Sequence, residues 1–285
     1  MEEEGWVVAG AGKKSWKRRK GKQGAGCRGA KRRPCVPKQE EISWDPAVLD
    51  APVEEGGVRA LISRTKDAVA LVRQSKIFGH LKREIFLAED GGEEDTLVRN
   101  LGEVEELVVY GLGSLENGPP ACRYQFALAV LLAEEIRKKS SKFGQVLFFD
   151  PAFTAYDRRA IESESSEFRV LRENENCARR TSKKTLFYMP HCEACLYDSL
   201  LKANWTRSQL PNLVILGNSF ASYKSIWGVS SEHKPDPPAY VELVAAAESS
   251  QEVPVPDFNF TEVSAFNNMS FHFFPSASVA HMMVR

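Results

Sequence analysis

The stretch "LFYMPHCEACLYDSLLKANW", from Leu186 to Trp205, combines a strand, a turn and a helix. It begins within an apolar run of β-formers, residues 185–189, which Pro190 ends. From Ala194 to Ala203 the apolar residues recur at a helical period. A short buried strand followed at once by a helix is typical of α/β proteins. The stretch therefore predicts one strand–turn–helix unit.

Similar units lie on both sides of this stretch. Short apolar runs bounded by turn residues predict six strands, over residues 106–111, 145–150, 168–172, 185–189, 213–217 and 270–275. Helical patterns follow Glu54 and recur over residues 123–140, 157–165, 194–203 and 240–249. Continuous apolar strands are buried on both faces, and their alternation with helices indicates a parallel, doubly wound sheet. We expect an α/β, Rossmann-like fold, with a mostly parallel sheet and helices on both faces.

The charge of the chain is divided unevenly. The formal net charge is zero, yet residues 1–38 hold twelve Lys or Arg against three Glu, which leaves an excess of nine acidic residues in the remainder. The first part offers little to bury, so we expect a disordered basic tail over residues 1–40 and one domain over residues 41–285, with its most specific part at about 105–225. The tail is either a solvated segment or a contact for nucleic acid or nuclear import.

Cysteine usage and hydropathy bear on the compartment. No apolar run reaches the roughly 20 residues that cross a bilayer, and residues 1–38 have no apolar core of the secretory type. Six irregularly spaced cysteines in a chain of this length suggest reduced thiols. We therefore expect a protein that does not enter the membrane and lies in the cytoplasm, with the nucleus as a second location.

Polar and small residues follow four of the predicted strands. Because the carboxyl ends of parallel strands meet at one edge, where open α/β sheets bind ligands, we expect a shared pocket there. The predicted pocket residues are Gly111, Gly113, Ser114, Asp150, His191, Cys192, Asn218 and Ser219.

The turn after the first strand, "YGLGSLENG", resembles part of a dinucleotide fingerprint. Glycines after a strand let backbone N–H groups approach an anion. Glu116 stands where a third glycine is expected, and Asp150 lies further on than the roughly 20 residues of a ribose-binding acid. The turn is thus either a nucleotide or S-adenosylmethionine-like site or a tight strand–helix connection. Asp150 could either bind a ribose or cap the next segment.

The cysteines of "PHCEAC" allow several interpretations. Cys192 and Cys195 could supply two of the four ligands of a zinc site, but no second pair follows. A redox pair would suit a helix N-terminus, although Glu193 between the thiols would raise their pKa. Adjacent His191 and Cys192 rarely reach the geometry of a nucleophile and its base. The simplest interpretation places His191 in the crevice and Cys192 as a small apolar filler, with no metal and no catalytic residue.

Four segments together resemble one known family. In chain order they are "VVYGLGS", "FDPAFTAYD", "YMPHCEACLYDSLLKANW" and "LGNSFASY", with a weaker echo in "FNNMSFHFFP". This series resembles the sensitivity-to-red-light-reduced (SRR-like) family, whose pattern falls on the predicted pocket residues and on Pro151, Pro190, Tyr197, Asn204, Trp205 and Gly217. Cys195 lies in a variable gap of the pattern, which weakens a metal or redox pair, and Asp198 stands where the pattern has an amide.

The resemblance implies regulation. Family members are associated with circadian clock output, gene expression and haem biosynthesis, and no catalytic residue is established for them. The first hypothesis is a regulatory protein that acts through protein partners. The alternative is an enzyme or degenerate enzyme whose pocket at the strand ends holds a nucleotide or S-adenosylmethionine-like ligand. The sequence identifies no cofactor.

Overall fold

The structure is a computed structural model that describes residues 44–83, 101, 103–223, 239–246, 251–276 and 279. All of them belong to one compact unit, residues 33–285. The predicted basic tail lies outside the described residues.

The centre of the fold is a seven-stranded sheet of order β3-β2-β1-β4-β5-β7-β6. The strands are β1 Glu106–Tyr110, β2 Val146–Phe149, β3 Phe168–Val170, β4 Thr185–Met189, β5 Leu213–Asn218, β6 Gln251–Val255 and β7 Met269–Phe273. The first five strands are mutually parallel, and β7 is antiparallel to both of its neighbours. The α/β class and the mostly parallel sheet are confirmed.

Seven α-helices with described bounds connect or flank these strands. They are α1 Glu55–Arg73, α2 Lys76–Leu81, α3 Pro120–Lys139, α4 Ala155–Glu164, α5 Ala194–Ala203, α6 Ala239–Ala246 and α7 Val263–Phe266, with 3-10 turns at Pro46–Asp50 and Leu210–Asn212. One apolar cluster joins one face of the sheet to α1, α3, α4 and α7, and a second joins the other face to α5 and α6. Helices therefore cover both faces, as predicted.

The central strands are buried because both of their faces meet helices. Every residue of β1, β4, β5 and β7 is buried. This explains why β1, β4 and β5 appear in the sequence as nearly continuous apolar runs, whereas β7 alternates and buries the polar Ser270 and His272.

Two parts of the sheet differ from the sequence prediction. The sixth predicted strand is β7, which runs antiparallel, so its carboxyl end lies at the opposite edge from those of β1 to β5. The pattern also missed β6, because Pro254 and its polar neighbours resemble a loop. A proline that donates no hydrogen bond is tolerated in a strand at the edge of a sheet.

Local capping explains where helix α4 starts. The Thr154 side chain accepts a hydrogen bond from the backbone N–H of Asp157, whose own side chain accepts one from the Thr154 N–H. This capping box starts the helix at Ala155, two residues before the predicted start. Asp157 therefore closes the cap from the third helical position.

Candidate functional site

The predicted pocket residues meet at one edge of the sheet, which we call the carboxyl edge. Parallel pairing aligns Tyr110 with Phe149 and Met189 with Gly217, so that the residues after β1, β2, β4 and β5 are neighbours. The order of the strands reverses between β1 and β4, which is where open α/β sheets form a ligand crevice.

Asp150 follows β2 and contacts the glycine turn. Its Oδ2 accepts a hydrogen bond from the Gly113 N–H at 2.7 Å, and its Oδ1 accepts one from the Ala152 N–H at 2.8 Å. Burial raises the pKa of this carboxyl, and the two N–H groups oppose the rise. Gly111 and Gly113 have φ angles of 76° and 72°, which favour glycine. Asp150 thus fastens the end of β2 to the turn that follows β1.

Ser114 belongs to a neighbouring buried cluster. Its Oγ accepts a hydrogen bond from the Asn117 N–H at 3.0 Å, and its hydroxyl also bonds to the carboxylate of Asp157. Asp157 is fully buried and accepts a further bond from the Glu116 N–H at 2.8 Å. Burial raises the pKa of Asp157, and these hydrogen bonds oppose the rise. Sequence reasoning did not place Asp157 in this cluster.

Asn218 holds the turn after β4 in place. Its Oδ1 accepts from the His191 N–H at 3.0 Å, and its Nδ2 donates to the Cys192 carbonyl at 3.2 Å and to the Tyr223 Oη at 2.8 Å. The backbone N–H of Asn218 donates to Tyr197 Oη at 2.9 Å. With 9% of its surface exposed, Asn218 connects β5 to the β4 turn through each of its side-chain polar atoms.

Cys192 closes the crevice between β1 and β4. Its Sγ donates to the Tyr110 carbonyl at 3.7 Å, and a Cβ atom added to Gly111 would lie 2.5 Å from that sulfur. Burial raises the pKa of the thiol well above its ordinary value. Cys192 is therefore a protonated thiol that fills space. Nearby, Cys195 Sγ contacts Glu193 Oε2 at 3.5 Å. In the part of the chain that the structure describes, no three His, Cys, Asp or Glu side chains are placed to hold a metal ion together.

His191 is the exposed member of the predicted pocket set, and Ser219 is half-buried. His191 is exposed and has a φ of 54°, which is uncommon for a residue with a side chain. Its ring nevertheless lies against the backbone of Ser264 and Ala265, and partial burial lowers its pKa while these carbonyls oppose the change. Ser219 Oγ accepts a hydrogen bond from the Ser222 N–H at 3.1 Å, which is a capping contact.

A small cavity of about 60 Å³ opens beside the glycine turn. Gly111 lines it together with residues that sequence reasoning missed, among them Asn174, Asn176 and Cys177. The other seven predicted residues do not line this cavity. Asn176 and Cys177 have φ angles of 47° and 57°, and the repeated Asn of "ENEN" was the available signal, because Asn tolerates this conformation. This volume has room for about two water molecules.

His272 is a further residue that sequence reasoning missed. It lies on β7, is 2% exposed, and donates from Nε2 to the Asn218 carbonyl at 3.0 Å. Its ring stacks on Phe220 at 3.9 Å, and its Nδ1 is 3.9 Å from Glu252 Oε2. Burial lowers its pKa to about 4, against the opposing effect of Glu252. The only available signal was its place in the "FNNMSFHFFP" segment.

Together these contacts form a connected network. Asp150 joins β2 to the β1 turn, Cys192 joins the β4 turn to β1, and Asn218 joins β5 to the β4 turn. The network presents the His191 turn at the surface, above buried and hydrogen-bonded residues. Among the described helices, none is long and apolar enough to cross a membrane.

Comparison with known proteins agrees with the motifs. The SRR1 domain matches residues 81–273, more than half of the chain. The chain is 33% identical over 171 residues to Protein SENSITIVITY TO RED LIGHT REDUCED 1 of Arabidopsis thaliana, covering 60% of this chain and 59% of that protein. It is 37% identical over 114 residues to the SRR1-like protein of Mus musculus, covering 40% and 43% of the two chains.

A third relative is the SRR1-like protein of Drosophila melanogaster, which is 27% identical over 178 residues, or 62% of this chain and 57% of the relative. The matches thus span about three-fifths or less of the length of these relatives. The resemblance inferred from the motifs is confirmed, and the chain belongs to the SRR1 domain family.

Proposed function

We propose that this protein is a regulatory protein that acts through protein partners in the cytoplasm, on circadian clock gene expression and on haem biosynthesis. The plant relative carries red-light sensitivity in its name, which agrees with a regulatory role. The clock and haem roles come from the family resemblance.

The observation that best supports binding to partners is that the polar groups at the carboxyl edge are already hydrogen-bonded within the protein. Asp150, Cys192 and Asn218 are at most 9% exposed and bond to the chain itself. A polar group that is already paired offers little to a substrate, because its hydrogen bonds would have to be exchanged. The exposed His191 turn, held from below by Asn218, provides a fixed shape that a partner can recognise.

The test uses cells from which the gene has been deleted and into which variants are returned. His191→Asn removes the imidazole but suits the positive φ, so the turn is expected to keep its shape. Clock transcripts and transcripts of haem-synthesis enzymes are followed over several days. We expect deletion to reduce the rhythm and alter the haem-enzyme transcripts, wild type to restore both, and His191→Asn to restore them only in part.

A matched control is the double variant Arg64→Ala/Lys66→Ala, which changes two exposed residues of α1. It should restore both readouts as fully as wild type. If the deleted cells keep normal rhythms and normal haem-enzyme transcripts, the proposed regulatory function is wrong.

One observation favours a second candidate, the binding of a small ligand. The cavity beside Gly111 lies at the carboxyl edge and is bounded by Asn176 and Cys177, which have left-handed backbone conformations. At about 60 Å³ it is too small for a nucleotide unless residues 174–177 move. Thermal stability should be measured with nucleotides, S-adenosylmethionine and haem. A ligand at a hundred times its Kd would add about 2.7 kcal/mol, and no shift with any of them would argue against this candidate.

A further inference from the structure

The opposite edge of the sheet carries a larger cavity, which we call the amino-edge cleft. Its volume is about 780 Å³, and it is an open cleft lined by the residues that precede β1, β4 and β5, the end of α3, and the residues that follow β7. Ligand-binding pockets are commonly about 300–1,000 Å³, so the cleft has room for a small molecule.

The walls of the cleft are rich in hydrogen-bond donors. Four lysines line it, Lys139, Lys142, Lys183 and Lys184, together with four serines and Asn212. Two glutamates, Glu103 and Glu105, oppose them, which leaves an excess of two positive charges. Residues 39–285 as a whole have nine more acidic than basic residues, so the net charge of the cleft is opposite in sign to that of the domain.

The lysines differ in how they are engaged. Lys183 Nζ lies 3.1 Å from Glu106 Oε1, and Lys184 Nζ donates to the Pro211 carbonyl at 2.8 Å. Burial lowers the pKa of Lys184, and Glu103 opposes this change. Lys139 and Lys142 are exposed, and neither makes an ion pair with another residue in the part of the chain that the structure describes. These two ammonium groups are available to an incoming anion.

A second cavity of about 390 Å³ adjoins the cleft and shares Ser182 and Lys183 with it. Its walls add Arg179 and Arg180, and also Glu106 and Glu175. Arg179 is paired with these two carboxylates, at 2.7 Å from Glu175 and 3.9 Å from Glu106. Segment 179–184, "RRTSKK", therefore contributes cations and hydroxyls to both cavities.

This segment is fixed from beneath by a buried amide. Asn204 is fully buried; its Oδ1 accepts from the Thr181 N–H at 2.8 Å, and its Nδ2 donates to the Arg179 carbonyl at 2.7 Å and to the Leu200 carbonyl at 2.9 Å. A wall that is already ordered loses less conformational entropy when a ligand binds.

From this arrangement we propose that the amino-edge cleft binds a small molecule that carries two or more phosphate groups. Lysines bind phosphate as point charges, and serine hydroxyls and the Asn212 amide supply further donors to its oxygens. Among the described residues that line the cleft, the one aromatic is Phe274, which is 2% exposed, so these residues offer no aromatic platform to the bases of a nucleic acid strand. This site lies at the opposite edge from the proposed partner surface and is independent of it.

Isothermal titration of the full chain with pyrophosphate and with ATP tests the proposal. We expect saturable binding of at least one of the two, weakened by added salt. Equal affinity for both would identify the phosphate groups as the recognised chemistry, whereas tighter binding of ATP would identify a nucleotide. In the Lys139→Ala/Lys142→Ala variant, binding should weaken about tenfold for each lysine that contacts the ligand.

Two variants control for charge and fold. Lys139→Arg/Lys142→Arg keeps both charges and should retain most of the affinity, whereas Arg64→Ala/Lys66→Ala removes two charges from α1 and should bind as wild type does. Residues 1–38 are strongly basic and attract anions without a defined site, and such binding weakens wherever positive charge is removed. The α1 variant measures this non-specific loss, because it removes two charges away from the cleft. The absence of binding by both probes, binding unaffected by the alanine pair at residues 139 and 142, or binding of an RNA oligonucleotide alone would overturn the proposal.

Discussion

The two edges of the sheet use their polar residues in opposite ways. At the carboxyl edge, Asp150 and Asn218 bond to neighbouring backbone, and the described cavity beside Gly111 is about 60 Å³. At the amino edge, Lys139 and Lys142 are exposed around a cavity of about 780 Å³. The residues that stand out in the sequence hold the fold together, and the residues that look like ordinary surface form the larger cavity.

The largest expected effect is that of Gly111→Ala. The φ of 76° is strained for alanine, and the new Cβ would lie 2.5 Å from Cys192 Sγ. We expect a loss of about 3–4 kcal/mol in the free energy of unfolding, measured by denaturant titration. Cys192→Ala in the same chain should recover part of it, because it removes the sulfur.

Gly144→Ala is the matched control for this change, since no atom lies within 4 Å of the added Cβ and the φ of Gly144 is not in the left-handed region. Its unfolding free energy should stay within about 0.5 kcal/mol of wild type. If Gly111→Ala were equally harmless, the close packing of the β1 and β4 turns would be disproved.

The next effect in size is that of Asn218→Ala, which removes side-chain hydrogen bonds to His191, Cys192 and Tyr223. We expect a loss of about 2–3 kcal/mol in unfolding free energy, because the turn after β4 loses its anchor. At the amino edge Asn212 donates a single side-chain bond, to the Ser208 carbonyl at 3.4 Å. Asn212→Ala should therefore lower the unfolding free energy by less than about 1 kcal/mol. Equal losses from the two variants would contradict the proposed difference between the edges.

His272 predicts a pH dependence specific to the carboxyl edge. Burial lowers its pKa from 6.5 to about 4, so the unfolded chain takes up the proton first as the pH falls. The stability contributed by neutral His272 is therefore present above pH 6.5 and is lost as the pH falls towards 4. Between pH 7 and pH 5 the loss should be about 2 kcal/mol.

His272→Gln is the control variant, because the glutamine side-chain amide can still donate to the Asn218 carbonyl but does not titrate. Other groups titrate in both proteins, so the difference between the two pH profiles reports on His272. Parallel profiles for wild type and His272→Gln would show that this histidine is not held neutral by the fold.

The smallest expected effect on stability is that of Lys139→Ala/Lys142→Ala. Both side chains are exposed, and Lys139 lies in the last turn of α3, where a cation is mildly favourable. We expect a change of less than about 1 kcal/mol in unfolding free energy, in contrast to the variants of the carboxyl edge. A larger loss would mean that these lysines support the fold, which would contradict the proposed difference between the two edges.

Features with a local sequence signal were predictable, and features set by distant contacts were not. Strands β1, β4 and β5 were placed within one residue of their observed ends because they are continuous apolar runs between turn residues. Strand β6 was missed because Gln251 and Pro254 resemble a loop, and the antiparallel direction of β7 has no local signal. Asp198 shows the same limit, because its carboxylate caps α6 by accepting from the N–H groups of Tyr240 and Val241, a contact across 42 residues or more.

In the candidate site, too, the neighbouring strand ends were predictable and the side-chain contacts were not. That the residues after β1, β2, β4 and β5 are neighbours followed from the parallel sheet, since parallel strands end at a common edge. Whether Asp150 faces a ligand or the Gly113 N–H did not follow, because that depends on the path of a turn 37 residues away. The cleft was not predicted either, since Lys142 and Lys183 come from separate segments and each resembles a solvated surface residue.

The sequence by itself determined the α/β class, the family and which residues lie at the carboxyl edge, because apolar runs and turn residues act through local backbone preferences. Only the tertiary structure decided that these polar groups bond to one another, that Cys192 closes the crevice, and that four lysines from distant segments surround one cavity. The physical reason is that hydrogen bonding and charge depend on distances of a few ångströms between segments far apart in the chain, and only packing sets those distances.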